Sequence, residues 1–386
     1  MVSFKPGEQP KATRLRVWRT PLCALVICLG APTASQARPR SAECRAAGPP
    51  GRLDAQAPFA SLSTLQYDGD QWLVLLDRTE SPKSVRLVSS RGRHIGLSRP
   101  PRFAPSQWFG RGSSIYALGT ARSLEEGMQN VVLVRWAMDG RRPRLIRLWA
   151  QPEITTPPTA ILTNATLAVG WASKQAGAKE ASRWTLGVVD MERMQPTDPL
   201  VVGKPARRTW GRLMLSGSEI VALWIADNEP MTARFDQHGS VVRKATGISW
   251  PGDVTVTATA QCGAYLYAID RDKNRRARLS LLGQDGPQPL TTFDAVEPGE
   301  VSLTCTGNAA VVGHRVWNDR AGSVVFWVST VAPSGKVRAR RVRDIKGRKD
   351  DLRMTTIAGS GDDLAAWWMQ SNGGRSELYT RRVGCK

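Results

Sequence analysis

Along most of the chain, polar turn residues alternate with short runs of strand-like sequence at a long, regular interval. Seven segments share one form: a Gly or Asn, an apolar residue three positions later, then more alternating sequence. They are Gly69 in GDQWLVL, Gly112 in GSSIYAL, Asn164 in NATLAVG, Gly217 in GSEIVAL, Gly263 in GAYLYAI, Gly307 in GNAAVVG and Gly361 in GDDLAAW. Successive turn residues are 43 to 54 positions apart. A four-stranded propeller blade occupies roughly 40–50 residues, whereas leucine-rich, ankyrin and tetratricopeptide units are shorter. Paired-helix repeats fit by length but need an apolar period near 3.6, and the period here is two.

Each unit reads as four strands. In the third strand of the second unit, Val132, Val134, Trp136 and Met138 alternate with Leu133, Arg135 and Ala137, which marks a strand with two unlike faces. The hairpin between third and fourth strands is signalled by Arg91-Gly92, Asp139-Gly140, His238-Gly239, Asp285-Gly286 and Ser334-Gly335. The third unit has Met191-Glu192-Arg193 there and is the irregular member. The last unit is one strand short at its C-terminal end, and the segment from Cys44 to Ala57 is spare at the other end. The expected fold is all-β: a seven-bladed β-propeller of four-stranded antiparallel blades, the last completed by an N-terminal strand so that no sheet edge stays open. The segment VRARRVRDI, Val337 to Ile345, carries charge on both faces, as an outermost strand protected against edge pairing does.

Segments such as GAYLYAIDRD (Gly263 to Asp272) and VVLVRWAMDGRRPRLIRL (Val131 to Leu148) resemble the repeats of seven-bladed propellers of the WD-repeat and Tyr-Val-Thr-Asn type. The resemblance covers nearly all of residues 44–386 and concerns architecture alone. No Trp-Asp dipeptide ends a third strand and no Gly-His opens a unit, so the standard WD-repeat signature is missing. A fold of this kind carries no reaction with it.

The N-terminus changes the picture of compartment. Lys11, Arg14, Arg16 and Arg19 precede an apolar run from Leu22 to Ala31, and Ser35-Gln36-Ala37 offers small residues for cleavage. Residues 1–37 therefore read as an export signal and residues 38–386 as one propeller domain, periplasmic or extracellular, monomeric, with no membrane span. Cys44, Cys262, Cys305 and Cys385 remain after the signal, an even number that suits disulfides in an exported chain. Cys262 and Cys305 sit near the same point of consecutive units and would bridge neighbouring blades. Cys44 and Cys385 then pair and tie the two ends together, with free buried thiols as the alternative for each pair.

The 386 residues carry a formal charge of +21, of which four belong to the leader segment. A field of that sign attracts anionic partners, although a compositional preference for Arg accounts for it equally. In a propeller the links between blades and the loops between second and third strands share one face. There the candidate binding residues are Arg99, Arg102, Arg207, Arg208, Arg271, Arg275, Arg320 and Arg348, a basic ring suited to phosphate, sulfate or carboxylate, with Trp317 as an aromatic candidate. Trp171, Trp224 and Trp368 recur seven residues after their turns, which points to packing between blades.

Catalytic signatures are sparse. Asp270-Arg271-Asp272-Lys273-Asn274 opens like a calcium loop but has Arg275 and Leu281 where Gly and Glu belong. His94, His238 and His314 fall in three units without metal spacing, and no G-x-S-x-G, Gly-rich phosphate loop or zinc signature is present. No metal, cofactor or catalytic residue is expected. The leading functional expectation is a non-catalytic binding scaffold for a protein or an anionic polymer at the loop face. The alternative is a propeller hydrolase or lyase, whose residues, such as Asp270, His314 and Asp227, would converge at the channel mouth.

Overall fold

Five of the described inner hairpins turn at a glycine. Gly69, Gly112, Gly217, Gly263 and Gly307 take φ of +65°, +54°, +62°, +58° and +53°, the left-handed region that favours glycine. Asp68 shares it with Gly69, at +52°, the pairing of a type I′ hairpin turn. The computed structural model describes residues 44–53, 59–77, 84–125, 127–137, 142–174, 181–207, 209–227, 229–250, 256–271, 274, 276–283, 286–295, 301–360, 363–372 and 375–385. Residues 1–37, read above as an export signal, Arg208, Arg275 and the repeat turn Gly361 lie outside them.

The described strands form seven antiparallel blades of four-stranded plan. Blade 1 comprises Phe59–Tyr67, Asp70–Asp77, Ser84–Ser89 and His94–Ser98. Blade 2 comprises Phe103–Arg111, Ser114–Arg122, Gln129–Ala137 and Pro143–Gln151. Blade 3 has Ile154–Leu162, Thr166–Lys174 and Ser182–Asp190, with its outer strand reduced to Gln195–Pro196 and Leu200–Val201. Blade 4 comprises Thr209–Ser216, Glu219–Ala226, Glu229–Phe235 and Val241–Gly247, and blade 5 Ala258–Cys262, Tyr265–Arg271, Ala277–Gly283 and Gly286–Phe293. Blade 6 has Ser302–Thr306, Ala309–Asn318, Ser323–Val331 and Val337–Lys346. Blade 7 has Leu352–Ser360, Asp363–Asn372 and Arg375–Cys385, and takes its fourth strand, Cys44–Leu53, from the other end of the chain.

The first strand of every unit is innermost, and these strands neighbour one another in order, that of blade 7 meeting that of blade 1. Seven apolar clusters fill the joints, one between each pair of adjacent blades. Tryptophans are their largest members, and Trp171, Trp224 and Trp368 are among those fully buried. Trp171 stacks on Trp149 of blade 2 at 4.8 Å between ring centres. The Trp184 ring of blade 3 fills the space beside Gly211 of blade 4, where an added Cβ would stand 2.8 Å from it. A bare backbone is needed there so that two blades can close on one indole.

Cys44 lies opposite Cys385 in the register of the closing strand, and the two form a disulfide. A second disulfide joins Cys262 of blade 5 to Cys305 of blade 6. Both pairings follow the repeat register. The innermost strands of blades 6 and 7 also touch in parallel at Cys305 and Ser360, which merges the two blades into one eight-stranded sheet.

The irregular blade 3 has a local cause. In place of a glycine hairpin, the Asp190 carboxylate accepts hydrogen bonds from the backbone amides of Glu192 and Arg193 at 2.8 and 3.0 Å. These bonds, Arg193 first, hold its pKa below the usual carboxylate value. Past this turn the outer strand pairs in two short pieces, Val189 with Pro196 and then Leu186 with Leu200, with a one-residue shift between them. In blade 6 the outer strand Val337–Lys346 is exposed along most of its length, with only Val342 and Ile345 buried, as its charge pattern implies. Among the described residues, no helix is long and apolar enough to cross a membrane.

Candidate functional site

An innermost strand has one neighbour in its own sheet, so its second edge faces the central channel with backbone groups unpaired. Two cavities occupy that channel. The larger, about 810 Å³, lies at the starts of the innermost strands of blades 2 to 5, the end from which the inter-blade links depart. The smaller, about 340 Å³, lies at the turn end, between blades 1, 2, 6 and 7.

The wall of the larger chamber is built from residues that brace neighbouring blades. Gln107 of blade 2 donates its side-chain amide to the Ala160 carbonyl of blade 3 at 2.9 Å and accepts the Ala160 backbone N–H at 2.7 Å. The Ser106 hydroxyl donates to the carbonyls of Pro158 at 2.6 Å and Leu118 at 3.2 Å. Thr156 of blade 3 donates to the Thr209 carbonyl of blade 4. Pro105, Pro157 and Pro158 also line the chamber. Proline has no N–H to give, so the strand edge donates nothing at these three positions.

One charged side chain stands in this wall. The Arg212 guanidinium of blade 4 lies 5.3 Å from the centre of the Trp210 ring, and both residues line the chamber. Its Nε is sealed from solvent without a hydrogen-bond partner, and no acidic partner faces it among the described residues. Burial, unopposed, pushes its pKa below arginine's ordinary value. The position is singular. The residues five before the first turn residue of each blade's inner hairpin are Ser63, Gln107, Thr159, Arg212, Ala258, Ser302 and Thr356. Six are small or neutral, and the seventh is an arginine. That comparison of units is the signal in the sequence from which Arg212 was recoverable.

The candidate rim residues sit elsewhere, and none lines either cavity. Arg99 is committed to the link between blades 1 and 2, where its Nε donates to the Phe103 carbonyl at 2.7 Å, and burial lowers its pKa. Arg102, at φ +59°, Arg207, Arg271, Arg320 and Arg348 are exposed on separate links and loops. Trp317 is partly buried against the joint of blades 6 and 7, donates Nε1–H to Asp319 at 2.6 Å, and has the Lys349 ammonium 5.7 Å from its ring centre. The structure thus brings Trp317, Lys349 and the Arg348 link together and leaves the other arginines apart.

The three residues named for a converging catalytic group do not meet in the channel. The Asp270 carboxylate is buried and taken by Arg278, whose Nε lies at 2.9 Å, and by Trp250 Nε1–H. His314 is buried between blades 5 and 6 with its ring centre 4.7 Å from that of Phe293; burial holds its pKa at about 4, well below the usual 6.5. Asp227 is exposed beyond the end of its strand. None of the three lines either cavity.

No protein-family model matches the chain. No curated protein matches it either. Among solved structures, the fold is similar to that of a puromycin hydrolase, with 13% identity and a TM-score of 0.58 over 86% of this chain and 55% of that one. It is also similar to the acylaminoacyl peptidase of Pyrococcus horikoshii, with 14% identity and a TM-score of 0.51 over 84% of this chain and 52% of that one. The chain spans about half the length of these proteins. Likeness at this identity establishes the fold. The leading expectation of a non-catalytic scaffold is corrected here: the proteins that share the fold are by name a hydrolase and a peptidase. The scaffold expectation rested on rim charge, and rim charge says nothing about a chamber within the ring.

Proposed function

We infer that the chain acts in hydrolysis and that the chamber of about 810 Å³ at the channel mouth receives an acyl-amide or peptide-like substrate. The observation that carries this reading is the chamber. Its volume lies in the range of roughly 300–1,000 Å³ that encloses a small organic ligand. Its walls of free strand edge offer carbonyls to the N–H groups of an amide chain. A hydrolase and a peptidase share the fold. The exposed arginines Arg102, Arg207, Arg271, Arg320 and Arg348 add positive charge that raises the local concentration of an anionic substrate around the molecule. Two disulfides suit an oxidising compartment. They support export to the periplasm or beyond, with residues 1–37 as the removable leader and residues 38–386 as the mature propeller.

The test uses the purified chain and a panel of aminoacyl and acyl-aminoacyl naphthylamides. Turnover is expected, and Ala258→Trp, which fills the chamber from blade 5, should abolish it without lowering the melting temperature by more than a few degrees. Absence of turnover across the panel at micromolar enzyme, or full activity in Ala258→Trp, rejects the reading.

A further inference from the structure

We propose that the chamber recognises a substrate bearing a free carboxylate, and that Arg212, held over Trp210, is the residue that anchors it. The proposal rests on the reading of the chamber as a substrate site and names the substrate class.

An arginine withdrawn from water loses hydration and ordinarily recovers it from a carboxylate or a set of carbonyls. Elsewhere in this protein that happens. Arg278 is paired with the buried Asp270 at 2.6 Å, Arg234 meets Glu219 at 3.0 Å, and Arg381 donates to the Gly48 and Val342 carbonyls at 2.9 and 2.8 Å. Arg212 has the face of an indole and no hydrogen-bonding partner among the described residues. The indole orients the guanidinium plane and leaves its donor edge unspent. The flanking wall is neutral: Thr257, Ala258 and Thr259 from blade 5, Thr155 and Thr156 from blade 3.

The site therefore supplies one unit of positive charge in a fork of donors, in a chamber much larger than an inorganic anion. A planar carboxylate on a larger body satisfies both conditions, since the fork meets its two oxygens at once. Pro105, Pro157 and Pro158, which give no N–H to compete with a ligand's donors, line the same chamber. Together they describe a ligand with N–H donors along its length and a carboxylate at one point, which is a short peptide with its C-terminus free.

The experiment is calorimetric, so it does not depend on turnover. N-acetyl-trialanine and its C-terminal amide differ only in the carboxylate and serve as the two probes. The acid should bind the wild-type chain at least tenfold more tightly than the amide. Arg212→Ala should reduce that ratio to about one, and Arg212→Lys should keep part of it, because charge remains while the fork is lost. Arg212→Met, which keeps the aliphatic stem over the indole, replaces the alanine variant if that one fails to fold. Equal binding of acid and amide to the wild type, no binding of either probe, or a preference that survives loss of Arg212 overturns the proposal. Tighter binding of inorganic phosphate than of the acid overturns it as well. Failure of the naphthylamide assay with the acid preference intact removes the hydrolytic reading and leaves the anchor standing.

Discussion

Two arcs of the ring are joined by different means. From blade 5 round to blade 7, covalent and backbone ties are added to side-chain bonds such as that from Thr304 to the Gly359 carbonyl: Cys262–Cys305 between blades 5 and 6, a parallel bridge between blades 6 and 7, and the Cys44–Cys385 clasp within blade 7. From blade 2 round to blade 4, the innermost strands are tied by side chains, Gln107, Ser106 and Thr156 reaching the next strand's backbone. The channel holds about 340 Å³ beside the first arc's merged blades and about 810 Å³ along the second. Where main chain and sulfur close the ring, strands can meet. Where side chains alone bridge, strands stay apart and keep free edges. Covalent closure and the larger chamber thus lie on different arcs.

The comparison is broken most severely at the clasp. Replacing both Cys44 and Cys385 by Ser releases a constraint across 341 residues, which in the chain-entropy model stabilises by up to about 6 kcal/mol. The Cys262→Ser, Cys305→Ser pair spans 43 residues and should cost about 4 kcal/mol. Denaturant midpoints read both losses, and a larger loss from the second pair would show that the clasp is not the main closure.

Acid should loosen the joint of blades 5 and 6. His314 has a pKa of about 4 in the folded chain, lowered by burial, against 6.5 when exposed. The unfolded chain therefore takes up its proton first. The contribution is complete above pH ~6.5 and is lost as the pH falls towards ~4, by about 3 kcal/mol. His314→Gln should flatten the dependence of melting temperature on pH across that window, whereas an unchanged slope would place the effect elsewhere.

Smaller effects sharpen the contrast within the second arc. Gly211→Ala pushes a methyl into the Trp184 ring and should cost about 1–3 kcal/mol. Gly96→Ala, on an outer strand where an added Cβ meets nothing, should fall within about 0.5 kcal/mol of wild type. Gln107→Ala removes two hydrogen bonds between blades 2 and 3, and about 1–2 kcal/mol is expected in the same denaturation assay.

The blades were legible in the chain because five of their inner hairpins need a left-handed residue, and glycine at that point leaves a periodic mark. The closing strand was legible from the deficit in the last unit, and the disulfides from cysteines at matching points of the repeat. The irregularity of blade 3 was visible at Met191-Glu192-Arg193, though not the Asp190 cap that produces it. The chamber was not legible in the same way. Rim arginines stand out in composition, whereas the chamber wall is made of Thr, Ser, Gln and Pro residues that look ordinary one at a time. They acquire meaning when four innermost strands converge. Arg212 is the exception, since setting the seven units side by side isolates it. The indole beneath it, Trp210, follows no repeat, and neither does the bare backbone of Gly211 that receives Trp184.

The clasp of Cys44 against Cys385 has a consequence for biogenesis. In synthesis Cys44 precedes its mate Cys385 by 341 residues. Until blade 7 is made, Leu73 and Leu75 of blade 1 lack the residues that bury them. The nascent ring therefore waits as an open crescent, with an early thiol exposed to premature partners such as Cys262, until Cys385 is in place.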